Sequence, residues 1–160
     1  MKPKVQSGDG VILVVDDRED DVLLTKQALV RANVSNPVHV ACDGEEAIQY
    51  LEGTGKFGNR DEYPLPDLVL LDLNMPKVDG FEVLQWIRSH PVLRNLRTIV
   101  LTTSERLNDI NRAYELGANS FVVKAPDFKN YCRMMETTMA FWLKLSRAPS
   151  LQRPAAMCNS

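Results

Sequence analysis

Apolar residues follow two alternating patterns along the chain: short continuous runs, then stretches where they recur every three or four positions. Val11-Ile12-Leu13-Val14-Val15 is an unbroken apolar run, as expected of a strand covered on both faces. It stops at Asp16-Asp17. Glu19-Asp20-Asp21 then suits the first turn of a helix reaching about Ala32, because carboxylates offset the partial positive charge of a helix start. Val38 to Cys42 predicts a second strand. Asp43 and Glu46 have the spacing of a helix-capping pair, and Ala47, Ile48 and Leu51 share one face of the helix that follows. Gly53 to Pro66 is polar and punctuated by Gly and Pro, which predicts a loop. Leu68-Val69-Leu70-Leu71 is the third strand and ends at Asp72. Beyond Pro76, Asp79 and Glu82 repeat the capping spacing and open a helix that reaches His90, ahead of Pro91. Arg97 to Leu101 is the fourth strand, ending at Thr102. A helix from about Glu105 carries Leu107, Ile110 and Tyr114 and stops at Gly117. Ser120 to Val123 is the fifth strand, ending at Lys124, and a final helix runs from roughly Asp127 to Ser146.

Five strand-helix alternations predict an α/β fold, a doubly wound five-stranded parallel sheet with helices on both faces. Residues 11–146 form the folded unit, with an N-terminal tail over 1–10 and a flexible C-terminal tail over 147–160, where prolines replace periodicity. With 160 residues, 44% of them hydrophobic, the chain can bury a core without disulfides or metal staples. Cys42, Cys132 and Cys158 lack metal-ligand spacing and read as thiols of a reducing cytoplasm. No apolar run approaches a membrane span, and a net charge of −2 offers nucleic acid no electrostatic footprint.

Right-handed crossovers place all the strand C-termini along one sheet edge, where ligand chemistry gathers in such folds. Four of the five predicted strands end there in a polar group: Asp16-Asp17, Asp72, Thr102 and Lys124. Any one of them could be an ordinary helix cap. Together they are the types phosphoryl transfer needs. Carboxylates crowded within a few ångströms repel one another unless a cation intervenes, and Mg²⁺ with oxygen ligands suits a shallow acidic pocket. Lys124 can neutralise a phosphoryl oxygen, Thr102 can donate a hydrogen bond to another, and a carboxylate so surrounded can act as nucleophile.

Val14-Val15-Asp16-Asp17, Leu71-Asp72-Leu73-Asn74-Met75-Pro76 with Asp79-Gly80, Leu101-Thr102-Thr103-Ser104 and Val122-Val123-Lys124 together resemble the signature set of response-regulator receiver domains, over about Val11 to Leu145. The resemblance implies the flavodoxin-like receiver fold and a phosphoryl group accepted on Asp72 from a partner sensor histidine kinase in a two-component phosphorelay. It implies Mg²⁺ held directly by Asp17 and Asp72 and by the backbone carbonyl of Asn74, with Asp16 acting through water. Lys124 would pair with the phosphoryl group, Thr102 would be the switch hydroxyl and Phe121 the switch aromatic. Such a protein is not an enzyme in the usual sense; it takes part in its own phosphotransfer and autodephosphorylation. One departure stands out: the family's lysine is followed by a proline, generally in a cis bond, whereas here Lys124 is followed by Ala125 and then Pro126.

Gly53-Thr54-Gly55-Lys56-Phe57-Gly58 spells the dinucleotide-binding fingerprint but follows a helix and leads into a loop, so a loop is the better reading. His39 and His90 lack metal-spaced partners. In the last helix, Phe128, Tyr131, Cys132, Met135, Met139, Trp142 and Leu143 form one stripe at 100° per residue, which Met134, Thr138, Phe141 and Leu145 widen to roughly 200°. The surplus predicts a homodimer through this C-terminal helix. Phe141-Trp142-Leu143 and the long Gly53–Pro66 loop also resemble the phytochrome-associated branch, which implies dimerisation here and a phytochrome-type kinase as partner. Only 36 residues follow Lys124, too few for a helix-turn-helix output after the helix, so signalling by protein contact is expected. A haloacid-dehalogenase-type phosphatase would need Asp two places after Asp72, where Asn74 stands. The alternative from another class is a pseudo-receiver that binds partners without phosphorylation, against which the full set Asp16, Asp17, Asp72, Thr102 and Lys124 speaks.

Overall fold

The computed structural model describes residues 10–151. Five strands, β1 (Ile12–Val15), β2 (Val38–Ala41), β3 (Leu68–Leu71), β4 (Thr98–Thr102) and β5 (Ser120–Val123), form one parallel sheet in the order β2-β1-β3-β4-β5. The helices are α1 (Glu19–Arg31), α2 (Gly44–Glu52), α3 (Gly80–Ser89), α4 (Leu107–Glu115) and α5 (Phe128–Met139). This is the expected doubly wound architecture. The chain leaves β1 for β2 on one side and returns to β3 on the other, so the order reverses between β1 and β3. A crevice opens at such a switch point, beyond the strand ends.

The apolar runs are continuous because alternate residues feed two cores. Leu13, Val15, Val69, Leu71 and Val100 face one side, with Val83, Leu84 and Ile87 of α3 and Ala47 and Leu51 of α2. Ile12, Val14, Leu68, Leu70, Ile99 and Leu101 face the other, with Ala28 and Leu29 of α1 and Tyr131, Met135 and Met139 of α5. The two predicted capping pairs hold: Asp43 accepts from the Glu46 N–H at 2.7 Å and Asp79 from Glu82 at 2.9 Å; Asp127 caps α5 in the same way, accepting from the Asn130 N–H at 2.9 Å. α4 begins two residues later than its sequence suggests. The Ser104 hydroxyl donates to Asp109 at 2.6 Å and accepts the Arg106 N–H at 3.3 Å, which holds a turn ahead of the helix.

The Gly53–Pro66 loop is a core cover. Gly53 ends α2 in the left-handed region, at φ 73°, and Phe57 is buried between Tyr50 and Tyr63, with ring centroids 5.0 and 5.1 Å away. The Arg60 guanidinium donates to the carbonyls of Tyr50, Leu51 and Tyr63 and pins the loop in place. With its aromatic turned into the core, the glycine-rich stretch is structural.

The last helix departs from the uniform 100° periodicity. After Met139 it continues as a π-helical segment, Ala140–Leu145. The reason is competition for one carbonyl. In an α-helix the Ser146 N–H would bond the Trp142 carbonyl. That carbonyl accepts instead from the buried Arg97 guanidinium, and the Ser146 N–H passes to Phe141 at 2.7 Å, an i→i+5 bond. Arg97 also donates to the Asp67 carbonyl at 3.3 Å, so it ties the starts of β3 and β4 to the end of the last helix. Along that helix Tyr131, Met135, Met139 and Leu143 are buried, Cys132, Met134 and Trp142 half-buried, and Phe141 and Leu145 are 50% and 73% exposed. Residues 147–151 carry no helix or strand, and Leu151 packs against the core on the opposite face of the sheet. Most of the expected tails, 1–9 and 152–160, including Cys158, lie outside the described residues.

Candidate functional site

The strand ladders continue one residue past β1 and β3 and fix the backbone of the acidic residues. The Asp16 N–H bonds the Ala41 carbonyl at 3.2 Å and the Asp72 N–H bonds Val15 at 3.0 Å. On the far side, a Cβ at Gly80 would collide with the Asp72 carbonyl, so glycine is what lets α3 start against the end of β3. The crevice then gathers the acids: a carboxylate oxygen from each of Asp16, Asp17 and Asp72 lies within 4.8 Å of the others. Asp16 and Asp72 are buried and Asp17 is exposed. Asn74, two residues past Asp72, is exposed at the rim. Hard oxygen donors converging on one exposed opening fit a divalent cation such as Mg²⁺.

Lys124 reaches into the same crevice from the end of β5, its backbone fixed by an N–H to Thr102 bond of 2.7 Å. The described residues contain no cis peptide bond, so Lys124-Ala125 is trans. What orients the side chain is charge. Its ammonium lies 2.8 Å from Asp16, 3.2 Å from Asp21 and 3.9 Å from Asp72. Asp16 is engaged at both oxygens, accepting Lys124 at one and the Arg18 N–H, at 3.0 Å, at the other. Each of its oxygens thus already carries one hydrogen bond.

Burial pushes the Asp72 carboxyl above the usual carboxylate range, against the opposing pull of Lys124. Asp16 pushes the same way as burial, while the Thr102 hydroxyl and the Asn74 N–H favour the charged form. Burial alone would lower the Lys124 ammonium, but its hydrogen bond to Asp16 and the charges of Asp72, Asp16 and Asp21 hold it above its ordinary value. The lysine serves Asp16 more than Asp72, and the distances agree.

Thr102 is fully buried at the end of β4 beside Asp72. Phe121 is half-buried in β5 and packs against the α2–α3–α4 core; its N–H bonds the Tyr114 hydroxyl of α4 at 3.1 Å. The structure thus brings Asp16, Asp17, Asp72, Thr102 and Lys124 together, with Asn74 at the rim and Phe121 on the adjoining strand. Sequence reasoning missed Asp21, whose place in a first helical turn has an ordinary explanation, and the buried hydroxyl pair Thr25–Tyr131, 2.8 Å apart behind Lys124. His39 contacts Tyr50 and Tyr63, and His90 Nδ1 accepts from Val92 and Leu93, so both histidines are structural.

Residues 12–136 match the response regulator receiver domain. The chain is 35% identical over 140 residues to the response regulator Rcp1 of Synechocystis sp., covering 88% of this chain and 93% of that protein. Its fold matches the phosphorylated cyanobacterial phytochrome response regulator RcpA with a TM-score of 0.82 at 36% identity, over 89% of this chain and 99% of the other. It matches the Mn²⁺-bound form of Rcp1 with a TM-score of 0.79 at 34% identity, over 88% and 99%. A doubly wound sheet whose switch point collects three aspartates, and whose neighbouring strands end in threonine and lysine, is a receiver, and the chain belongs to the response regulator receiver domain family, in its phytochrome branch.

Proposed function

We propose that the protein is a phosphoacceptor: Asp72 takes a phosphoryl group from a phosphohistidine of a partner sensor histidine kinase and signals by protein contact. The observation that carries this reading is the Asp72 carboxylate in the crevice, with two further carboxylates close by and the Lys124 ammonium 3.9 Å away. A carboxylate whose basicity is raised by burial is the better nucleophile. In the step, an Asp72 oxygen bonds to phosphorus as the bond from phosphorus to the donor nitrogen breaks. Lys124 and the Thr102 hydroxyl receive the phosphoryl oxygens. Mg²⁺ would be held by Asp17, Asp72 and the Asn74 carbonyl, with Asp16 acting through water, and would neutralise charge on the transferring group. Phe121 would respond to Thr102 as the switch aromatic. The similarity to phytochrome response regulators, one crystallised phosphorylated and one with Mn²⁺, supports a phytochrome-type kinase as donor and a divalent metal. The exposed Phe141 and Leu145 support a homodimer through the last helix.

Intact-mass measurement with acetyl phosphate and Mg²⁺ tests the reading. One added phosphoryl group is expected, absent with chelator and absent in Asp72→Asn. Equal labelling of wild type and Asp72→Asn would refute it, and no labelling of either would favour a phosphorylation-independent interaction module.

A further inference from the structure

Lys124 is held to one side of Asp72. Its ammonium sits 2.8 Å from Asp16 and 3.2 Å from Asp21, but 3.9 Å from Asp72. Asp21 comes from α1, not from the sheet edge, and its carboxylate is only 24% exposed. Among the described residues its one other cationic neighbour is Arg18, at the long distance of 3.9 Å and 70% exposed, so Lys124 is its principal counterion. Asp21, Tyr131, Ala125 and Pro126 line a cavity together with Lys124. Tyr131 is itself fixed by Thr25, one turn beyond Asp21 on the same helix. The carboxylate therefore stands on a braced element.

We infer that Asp21 is a positioning residue that parks the Lys124 ammonium away from Asp72 and so sets how tightly the site holds a phosphoryl group. The inference rests on Asp72 being the phosphoacceptor. A phosphoryl group on Asp72 brings oxygens that compete for the ammonium with Asp16 and Asp21, and of these two holds the longer one, to Asp21, is the easier to loosen. The fixed negative charge of Asp21 also repels the arriving oxygens through a partly dry crevice, where screening is weak. Asp21 thus acts as a brake on occupancy, and neutralising it should release the lysine.

Beryllofluoride, a mimic of the phosphoryl group on a carboxylate, is titrated at saturating Mg²⁺ into wild type, Asp21→Asn and Asp21→Glu. The Lys124 ammonium is followed by nitrogen-15 NMR in the metal-free proteins. Asp21→Asn should bind beryllofluoride about three- to tenfold more tightly, the scale of one partly screened charge near the site. Asp21→Glu should return to near the wild-type affinity. The Lys124 ammonium resonance should shift and exchange faster in Asp21→Asn, and recover in Asp21→Glu. A residue that merely stabilised α1 would lower the melting temperature and move neither readout. Unchanged or weaker beryllofluoride binding by Asp21→Asn, with normal wild-type binding, overturns the inference alone. Failure of wild type to bind overturns the phosphoacceptor reading and the inference with it.

Discussion

Single residues in the crevice have unequal jobs despite identical chemistry. Asp17 is exposed and free to meet a metal, whereas Asp16 is buried with both oxygens engaged by Lys124 and the Arg18 N–H. From sequence alone, neutralising either acid should relieve repulsion; the structure separates them. Asp17→Asn should weaken Mg²⁺ binding by roughly tenfold or more and leave the metal-free protein at least as stable as wild type. Asp16→Asn should weaken Mg²⁺ less but destabilise the fold by about 1–3 kcal/mol, because Lys124 loses its nearest partner in a buried setting. Fluorescence titration and melting curves in chelator check both. Asp72 behaves in the opposite way. Its carboxyl is raised on folding, chiefly by burial, so ionised Asp72 costs stability in the metal-free protein. The favourable contribution of the protonated form is full below the unfolded value and is lost as pH rises through the folded value. Asp72→Asn should therefore gain roughly 1 kcal/mol at neutral pH, and the gain should vanish as pH falls below the ordinary carboxylate range. Urea unfolding of both proteins at pH 7 and pH 3 measures it; a gain that grows in acid would contradict the assigned sign.

Elements came out of the sequence where their causes are local. Continuous apolar runs, capping aspartates and the glycine after α2 each act within a few residues, and β1, β3 and α2 lie where those signals placed them. The polar groups at the strand ends were legible for the same reason, since topology alone carries strand termini to one edge. Features set by distant partners were not. The π-helical end of the last helix depends on Arg97, 45 residues from the Trp142 carbonyl it captures. Lys124 is gripped by Asp16 and also by Asp21, 103 residues away. In sequence one reads as the start of a strand, the other as an acid at a helix start. Arg97→Ala should restore the Trp142 carbonyl to the Ser146 N–H and turn the segment α-helical, while costing about 2–4 kcal/mol through the lost buried hydrogen bonds. Denaturant unfolding gives the cost, and backbone carbonyl chemical shifts over 140–146 report the change in helix type.

At the scale of the molecule, the last helix divides its wide apolar arc between core and surface. Met139 and Leu143 close the core, while Phe141 and Leu145 stay exposed. Replacing both exposed residues with glutamate should cost less than about 0.5 kcal/mol, since neither is in the core, and should give a folded monomer that still accepts phosphate on Asp72. Sedimentation of wild type and the double variant checks this; a wild type that is monomeric at micromolar concentration would remove the proposed dimer. The β5 edge of the sheet has its own limit. β5 is an outermost strand, and an outermost strand invites other extended chains to add to it. The N–H of Phe121 is already committed to the Tyr114 hydroxyl, whose ring lies half-exposed across that margin. An incoming strand would find this donor taken and a phenol in its path. Sheet growth at this margin is obstructed by one side chain from α4, leaving the surface beside Phe121 to be recognised by side chains and not by backbone pairing.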